Sequence, residues 1–105
     1  MAKSTENLTR VTRVGLDLAK NVFQVHGVDA EGEVVVVRKL RRAAALPFFG
    51  RLNPCIVAME ACGGAHHWGR EIAALGHEVK LIPPAHVKPL IRRNKTDAAA
   101  ICEAA

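Results

Sequence analysis

The chain has no tyrosine, one tryptophan and three phenylalanines. So few aromatic faces argue against stacking unpaired bases on a sheet, and with it RRM-like or OB-like recognition of single strands. Its three cysteines, Cys55, Cys62 and Cys102, are odd in number and include no C-x-x-C pair, so neither a disulfide framework nor a conventional zinc site is expected. They read as reduced, small core residues. Cys62, His66 and His67 come nearest to a ligand cluster, but adjacent histidines leave a helix in different directions. No apolar run is long enough to span a bilayer. The polar start of the chain, with an acid at Glu6, has neither secretory nor transit-peptide composition, so the expectation is a cytoplasmic protein with no membrane partner. Acids are scarce too: ten Asp and Glu stand against fifteen Lys and Arg, for a formal charge of +5 and a pI near 9.6. That balance favours a polyanionic partner, nucleic acid first.

What is present is a hydrophobic half, 50% of 105 residues, enough for one compact domain with a modest core. Residues 1–11 read as a polar tail and residues 12–105 as the domain. Across residues 11–19, Thr12, Val14, Leu16 and Leu18 alternate with Val11, Arg13, Gly15 and Asp17. That is the period of a strand, with Asp17 near its end and on the same face as Gly15. Residues 22–28 read as a second strand and, after the turn Asp29-Ala30-Glu31-Gly32, residues 33–39 as a third. The consecutive valines Val34 to Val37 predict that this third strand is covered on both faces. Residues 41–52 are alanine-rich and read as a helix shortened or bent by Pro47, with Leu40, Ala44 and Phe48 as its apolar stripe.

After Asn53-Pro54, residues 55–60 form an apolar run that reads as a buried strand delivering Glu60 at its carboxyl end. Gly63-Gly64 allows a sharp turn into a helix with Ala65, Trp68, Ile72 and Leu75 on one face, closed by Gly76. Residues 78–82 read as a strand stopped by Pro83-Pro84, residues 85–93 as a proline-interrupted helix, and residues 97–103 as a last helix capped by Thr96. The histidines His66, His67 and His77 read as surface or helix-end residues. The order is three strands, then helix, strand, helix, strand, helix. It predicts an α/β fold with an antiparallel three-strand meander leading into parallel strands, the RNase H-like order.

Ligand sites in open α/β sheets gather at the carboxyl ends of strands. Asp17, Glu60 and Asp97 stand where such a sheet would bring them together. An unpaired carboxylate on a central strand is costly to bury, and acids crowded together repel or take up protons unless a cation separates them. Magnesium and manganese favour oxygen ligands and serve phosphoryl transfer, so these three acids are the candidate catalytic and metal-binding residues. Asp97 also has a plainer reading, as an acid in the first turn of a helix. The exposed basic residues Lys88, Arg92, Arg93 and Lys95 form a candidate nucleic-acid contact. Arg38, Lys39, Arg41 and Arg42 form a second cluster.

At these positions the chain resembles a known family. The run from Val14-Gly15-Leu16-Asp17 to His26-Gly27, the run Met59-Glu60-Ala61-Cys62-Gly63-Gly64-Ala65-His66-His67-Trp68, and Leu81-Ile82-Pro83-Pro84 with Asn94-Lys95-Thr96-Asp97-Ala98-Ala99 are similar to three motifs. They are those of the DEDD-type bacterial insertion-sequence transposases, relatives of the Piv and MooV invertases. Three blocks in the right order are more specific than one short motif.

The resemblance implies a RuvC-like catalytic domain in which Asp17, Glu60 and Asp97 are the first three metal-binding acids, with Mg2+ or Mn2+ as cofactor. It implies DNA and a structured guide RNA as partners, homo-oligomeric assembly, and cleavage and joining of DNA strands in transposition. The family's fourth acid follows the third-motif aspartate by three residues, where this chain has Ala100; Glu103 lies about 120° from Asp97 around a helix and substitutes poorly. The family also continues past the position of Ala105 into a C-terminal domain carrying a serine nucleophile, so residues 12–105 read as a domain truncated before it. Two alternatives remain. One is a degenerate fragment that binds nucleic acid without catalysis. The other is an actin-like ATPase domain, disfavoured because Leu18-Ala19-Lys20-Asn21 lacks the Gly- and Ser/Thr-rich phosphate turn.

Overall fold

A computed structural model describes residues 7–91 and 96–105. Five strands, β1 (Arg13–Asp17), β2 (Val22–Val28), β3 (Val34–Arg41), β4 (Ile56–Glu60) and β5 (Glu78–Ile82), form one mixed sheet in the order β3-β2-β1-β4-β5. β1 pairs antiparallel with β2 and parallel with β4; β2–β3 is antiparallel and β4–β5 parallel. Four helices complete the α/β fold: α1 (Arg42–Gly50), α2 (Ala65–Ala73), α3 (Pro84–Ile91) and α4 (Asp97–Ala104). The antiparallel pairings need only tight turns, whereas the parallel steps β1 to β4 and β4 to β5 need crossovers, the second of them through α2.

Strand alternation divides the interior into two layers. Val14 and Leu16 of β1, Phe23 and Val25 of β2, and Val57 and Met59 of β4 face one way, into a core with Phe48, Phe49 and Ile72. Trp68 closes it by meeting the Phe23 ring edge-on at 4.9 Å. Ala58 and Ile82 face the other way, into a smaller core with Val87, Ala100 and Ile101. The sheet face of Gly15, Ala58 and Asp17 is thus the one on which α4 lies.

Several expectations need correction. Within the stretch read as a polar tail, Leu8–Arg10 form a 3-10 turn, Leu8 packs on the main core and Val11 is buried. In α1 the buried residues are Ala45, Phe48 and Phe49, while Ala44 is exposed: Leu40 belongs to β3, and the inward face of the helix is the set three and four residues on from Ala45. Leu75 is 43% exposed, beyond the end of α2. The four valines do not mark a strand covered on both faces. β3 is an edge strand, Val34 and Val37 are 58% and 65% exposed, and Val36 reaches the core by alternation with Leu40, opposite Gly27.

His77 is also no surface residue. It is buried, accepts a hydrogen bond at Nδ1 from the Cys55 backbone N–H (3.1 Å) and faces the Phe49 carbonyl through Nε2 at 2.8 Å. An amide N–H can only donate, so the ring is neutral with its proton on Nε2, tying the end of α1 to the starts of β4 and β5. The expectation for the cysteines holds for Cys55 and Cys102, which are buried, while Cys62 is exposed. Burial pushes the Cys55 thiol up to about 11, which leaves it inert as a nucleophile at neutral pH.

The β2–β3 turn is organised by Asp29. Its Oδ1 accepts from the N–H groups of Glu31 and Glu33, and its Oδ2 from Arg10 at 2.6 Å. These donors, the Glu33 N–H foremost, hold its carboxyl below the usual range against the opposing cost of burial. A lowered folded-state value means the stabilisation is complete above the ordinary carboxylate range and is lost as pH falls through the lowered one. Asp29→Ala is expected to lower the urea midpoint at neutral pH, with the gap from the parent closing at acid pH; equal gaps at both would refute this account.

Candidate active site

The parallel pairing of β1 and β4 runs in steady register through Gly15↔Ala58 and Leu16↔Met59. One residue further, at the carboxyl ends of both strands, it sets Asp17 beside Glu60. Neighbouring strands are about 4.8 Å apart, and both acids lie on the sheet face that α4 covers. Both are partly buried.

Asp97 arrives from the other end of the chain. Thr96 caps α4, its hydroxyl accepting from the Ala99 N–H at 3.1 Å, which starts the helix at Asp97 as the sequence predicts. The helix can lie close because its inward side is small, Ala98, Ala100 and Cys102, and because β1 carries Gly15 beneath it. A Cβ on Gly15 would collide with the Ala98 carbonyl oxygen and stand 2.5 Å from the Cys102 nitrogen. This glycine is needed for the approach of another backbone. Its role was not read from the sequence, although a glycine within an otherwise bulky strand was the available signal.

The charges of Asp97 and Glu60 reach Asp17. The Asp17 carboxyl is pushed up, first by burial, then by the negative charges of Asp97 and Glu60. All three sequence-predicted acids are therefore brought to one end of one sheet face. As placed, however, no three His, Cys, Asp or Glu side chains among the described residues stand close enough to hold a metal ion. Cys62, His66 and His67 form no such group either. The donors suit a hard divalent cation in kind, and crowded carboxylates gain from one.

A raised carboxyl has a thermodynamic consequence. The ionised form of Asp17 is tolerated less well in the fold than in the unfolded chain. The cost is absent below the ordinary carboxylate range, grows as pH rises through that window, and is complete above the raised value. Asp17→Asn is expected to raise the thermal midpoint at neutral pH and to leave it unchanged well below the carboxylate range, as calorimetry at the two pH values would show. A lower midpoint at neutral pH would contradict the crowding.

Ala100, where the resemblance implies a fourth acid, is fully buried in the smaller core beside Ala58, Ile82 and Val87. Of the basic residues named as nucleic-acid contacts, Lys88 is exposed on α3; Arg92, Arg93 and Lys95 lie outside the described residues. No helix among the described residues is long and apolar enough to cross a membrane.

No protein-family model matches the chain. It is 58% identical over 98 residues to a Pseudomonas aeruginosa protein named "Probable family 20 transposase", an alignment covering 90% of this chain and 29% of that protein. It is 44% identical over 100 residues to the transposase for insertion sequence element IS1328 of Yersinia enterocolitica (92% of this chain, 30% of the relative). To the transposase for insertion sequence element IS1111A of Coxiella burnetii it is 42% identical over 106 residues (98% and 29%). The chain thus spans less than a third of the length of these relatives.

Proposed function

We propose that this chain is the catalytic domain of an insertion-sequence transposase, RNase H-like in fold, in which Asp17, Glu60 and Asp97 hold Mg2+ or Mn2+ for cleaving and joining DNA strands. The observation that carries this reading is the convergence of three acids from distant parts of the chain at the carboxyl end of the central strand β1, where burial first and the charges of Asp97 and Glu60 second push the Asp17 carboxyl up. The relatives named as transposases support the biological setting. The strand order, an antiparallel hairpin on one side of β1 and parallel strands on the other, supports the fold assignment.

The division of labour follows from the geometry. Asp17 and Glu60 present adjacent carboxylates from a rigid sheet, which limits how far either can retreat from a bound cation. Asp97 reaches the same place from a capped helix, and its position depends on α4 staying seated on Gly15. Asp17, Glu60 and Asp97 would hold a divalent cation there, which would supply positive charge for phosphoryl transfer. For the longer protein, the resemblance to DEDD transposases adds DNA and a structured guide RNA as partners and assembly as a homo-oligomer; the polar, acid-containing start of the chain supports a cytoplasmic setting.

Calorimetric titration of Mg2+ and Mn2+ into the chain tests the site without a substrate. Binding is expected in the parent and is expected to vanish in Asp17→Ala and in Glu60→Ala. A parent that binds neither ion overturns the metal reading. A second reading, a domain that binds nucleic acid without chemistry, is favoured by Ala100 and by the absence of a ready-made ligand cluster among the described residues. It predicts salt-sensitive duplex binding with no metal-dependent nicking of supercoiled DNA.

A further inference from the structure

The basic cluster Arg38, Lys39, Arg41 and Arg42 is divided by the sheet. Arg38 stands over the Phe48 ring at 5.6 Å and Arg42 over the Phe23 ring at 5.9 Å, so both lie on the side of the main core. Lys39 alternates with the buried Val36 and Leu40 and, like Arg41, is exposed. Both belong to the opposite face, the one that carries Asp17. The pairing Asp17↔Gln24 on β2 continues to Gln24↔Lys39 on β3, with Val22↔Arg41 one step along. Asp17, Gln24 and Lys39 therefore form one row across three strands, which sets Lys39 about 10 Å from Asp17. Among the described residues neither Lys39 nor Arg41 has an ion-pair partner.

We propose that Lys39 and Arg41, on the open face of the β2–β3 hairpin, hold backbone phosphates of a DNA duplex beside the phosphate presented to Asp17 and Glu60. This rests on the catalytic reading above and adds the surface that delivers the substrate. The acids repel a polyanion, so the strand needs cations on the same face to approach. Two cations about 10 Å away lie roughly three phosphates along a strand, at 3.4 Å of axis per phosphate. Arg38 and Arg42, engaged with aromatic rings, contribute packing.

The test is the salt dependence of duplex affinity, measured by fluorescence anisotropy with a labelled DNA duplex in chelator, so that it reads phosphate contacts and not the metal site. Lys39→Gln and Arg41→Gln are each expected to make the slope of log affinity against log salt shallower by about 0.9, and together by about twice that. Arg70→Gln, on exposed α2 across the sheet, is expected to leave it unchanged. Thermal unfolding of each variant confirms that the exposed substitutions keep the fold. Unchanged slopes in the double variant, or no duplex binding by the parent, overturn the proposal; so does a change seen only with an RNA duplex. Metal binding by calorimetry with unchanged slopes sinks this surface and spares the acid site. The altered slopes without metal binding do the reverse.

Discussion

Gly15→Ala is expected to destabilise the domain by about 3 kcal/mol or more, the upper part of the range for forcing atoms into a packed interior. The obstacle is mostly backbone: the Ala98 carbonyl and the Cys102 nitrogen leave no room for a methyl group. A side chain could rotate away, but α4 can yield only by lifting as a whole. Lifting it exposes Ala98, Ala100, Ile101 and Cys102, all buried in the native fold. For a domain of this size the thermal midpoint should fall by about 12 °C or more. Asp97 should move with the helix, so any variant that remains folded should also lose metal affinity. A midpoint within about 2 °C of the parent would mean that α4 is not seated as described. Gly69→Ala is the control, since a Cβ there meets nothing nearer than a Val79 methyl at 3.4 Å.

The second large effect is expected at Ala100. Ala100→Asp restores the fourth acid implied by the resemblance, yet it places a carboxyl among the apolar side chains of Ala58, Ile82, Val87 and Ile101. A charge buried without a partner costs about 3 kcal/mol or more, and protonation relieves part of that. The variant is expected to be strongly destabilised at neutral pH, to recover as pH falls, and to bind Mg2+ no better than the parent. Tighter metal binding with unchanged stability would show that α4 can turn its Ala100 side towards Asp17 and Glu60.

Much of this was legible in the residues themselves. The bounds of β2 and β5 follow from alternation and turn signals, and Thr96-Asp97 announces the start of α4 because a capping hydroxyl and an acidic first turn are local features. Asp17, Glu60 and Asp97 could be named because strand ends are visible as the points where apolar runs stop. The valine run of β3 misled, since a string of branched residues reads the same on a central and on an edge strand. His77 misled too, because its partners, the Cys55 N–H and the Phe49 carbonyl, are backbone groups and leave no trace in side-chain patterning.

By itself, then, the sequence determined the elements, their order and the acids worth naming, since periodicity, capping and turn chemistry act over a few residues. Tertiary structure alone decided which strands are neighbours and which face α4 covers. It also decided that Gly15 is the seat for that helix, that Ala100 points into a core, and that Lys39 shares a face with Asp17 while Arg38 does not. These depend on contacts between residues up to 89 positions apart, such as Arg13 with Cys102. Contacts of that span are set by packing and register, which no local pattern encodes.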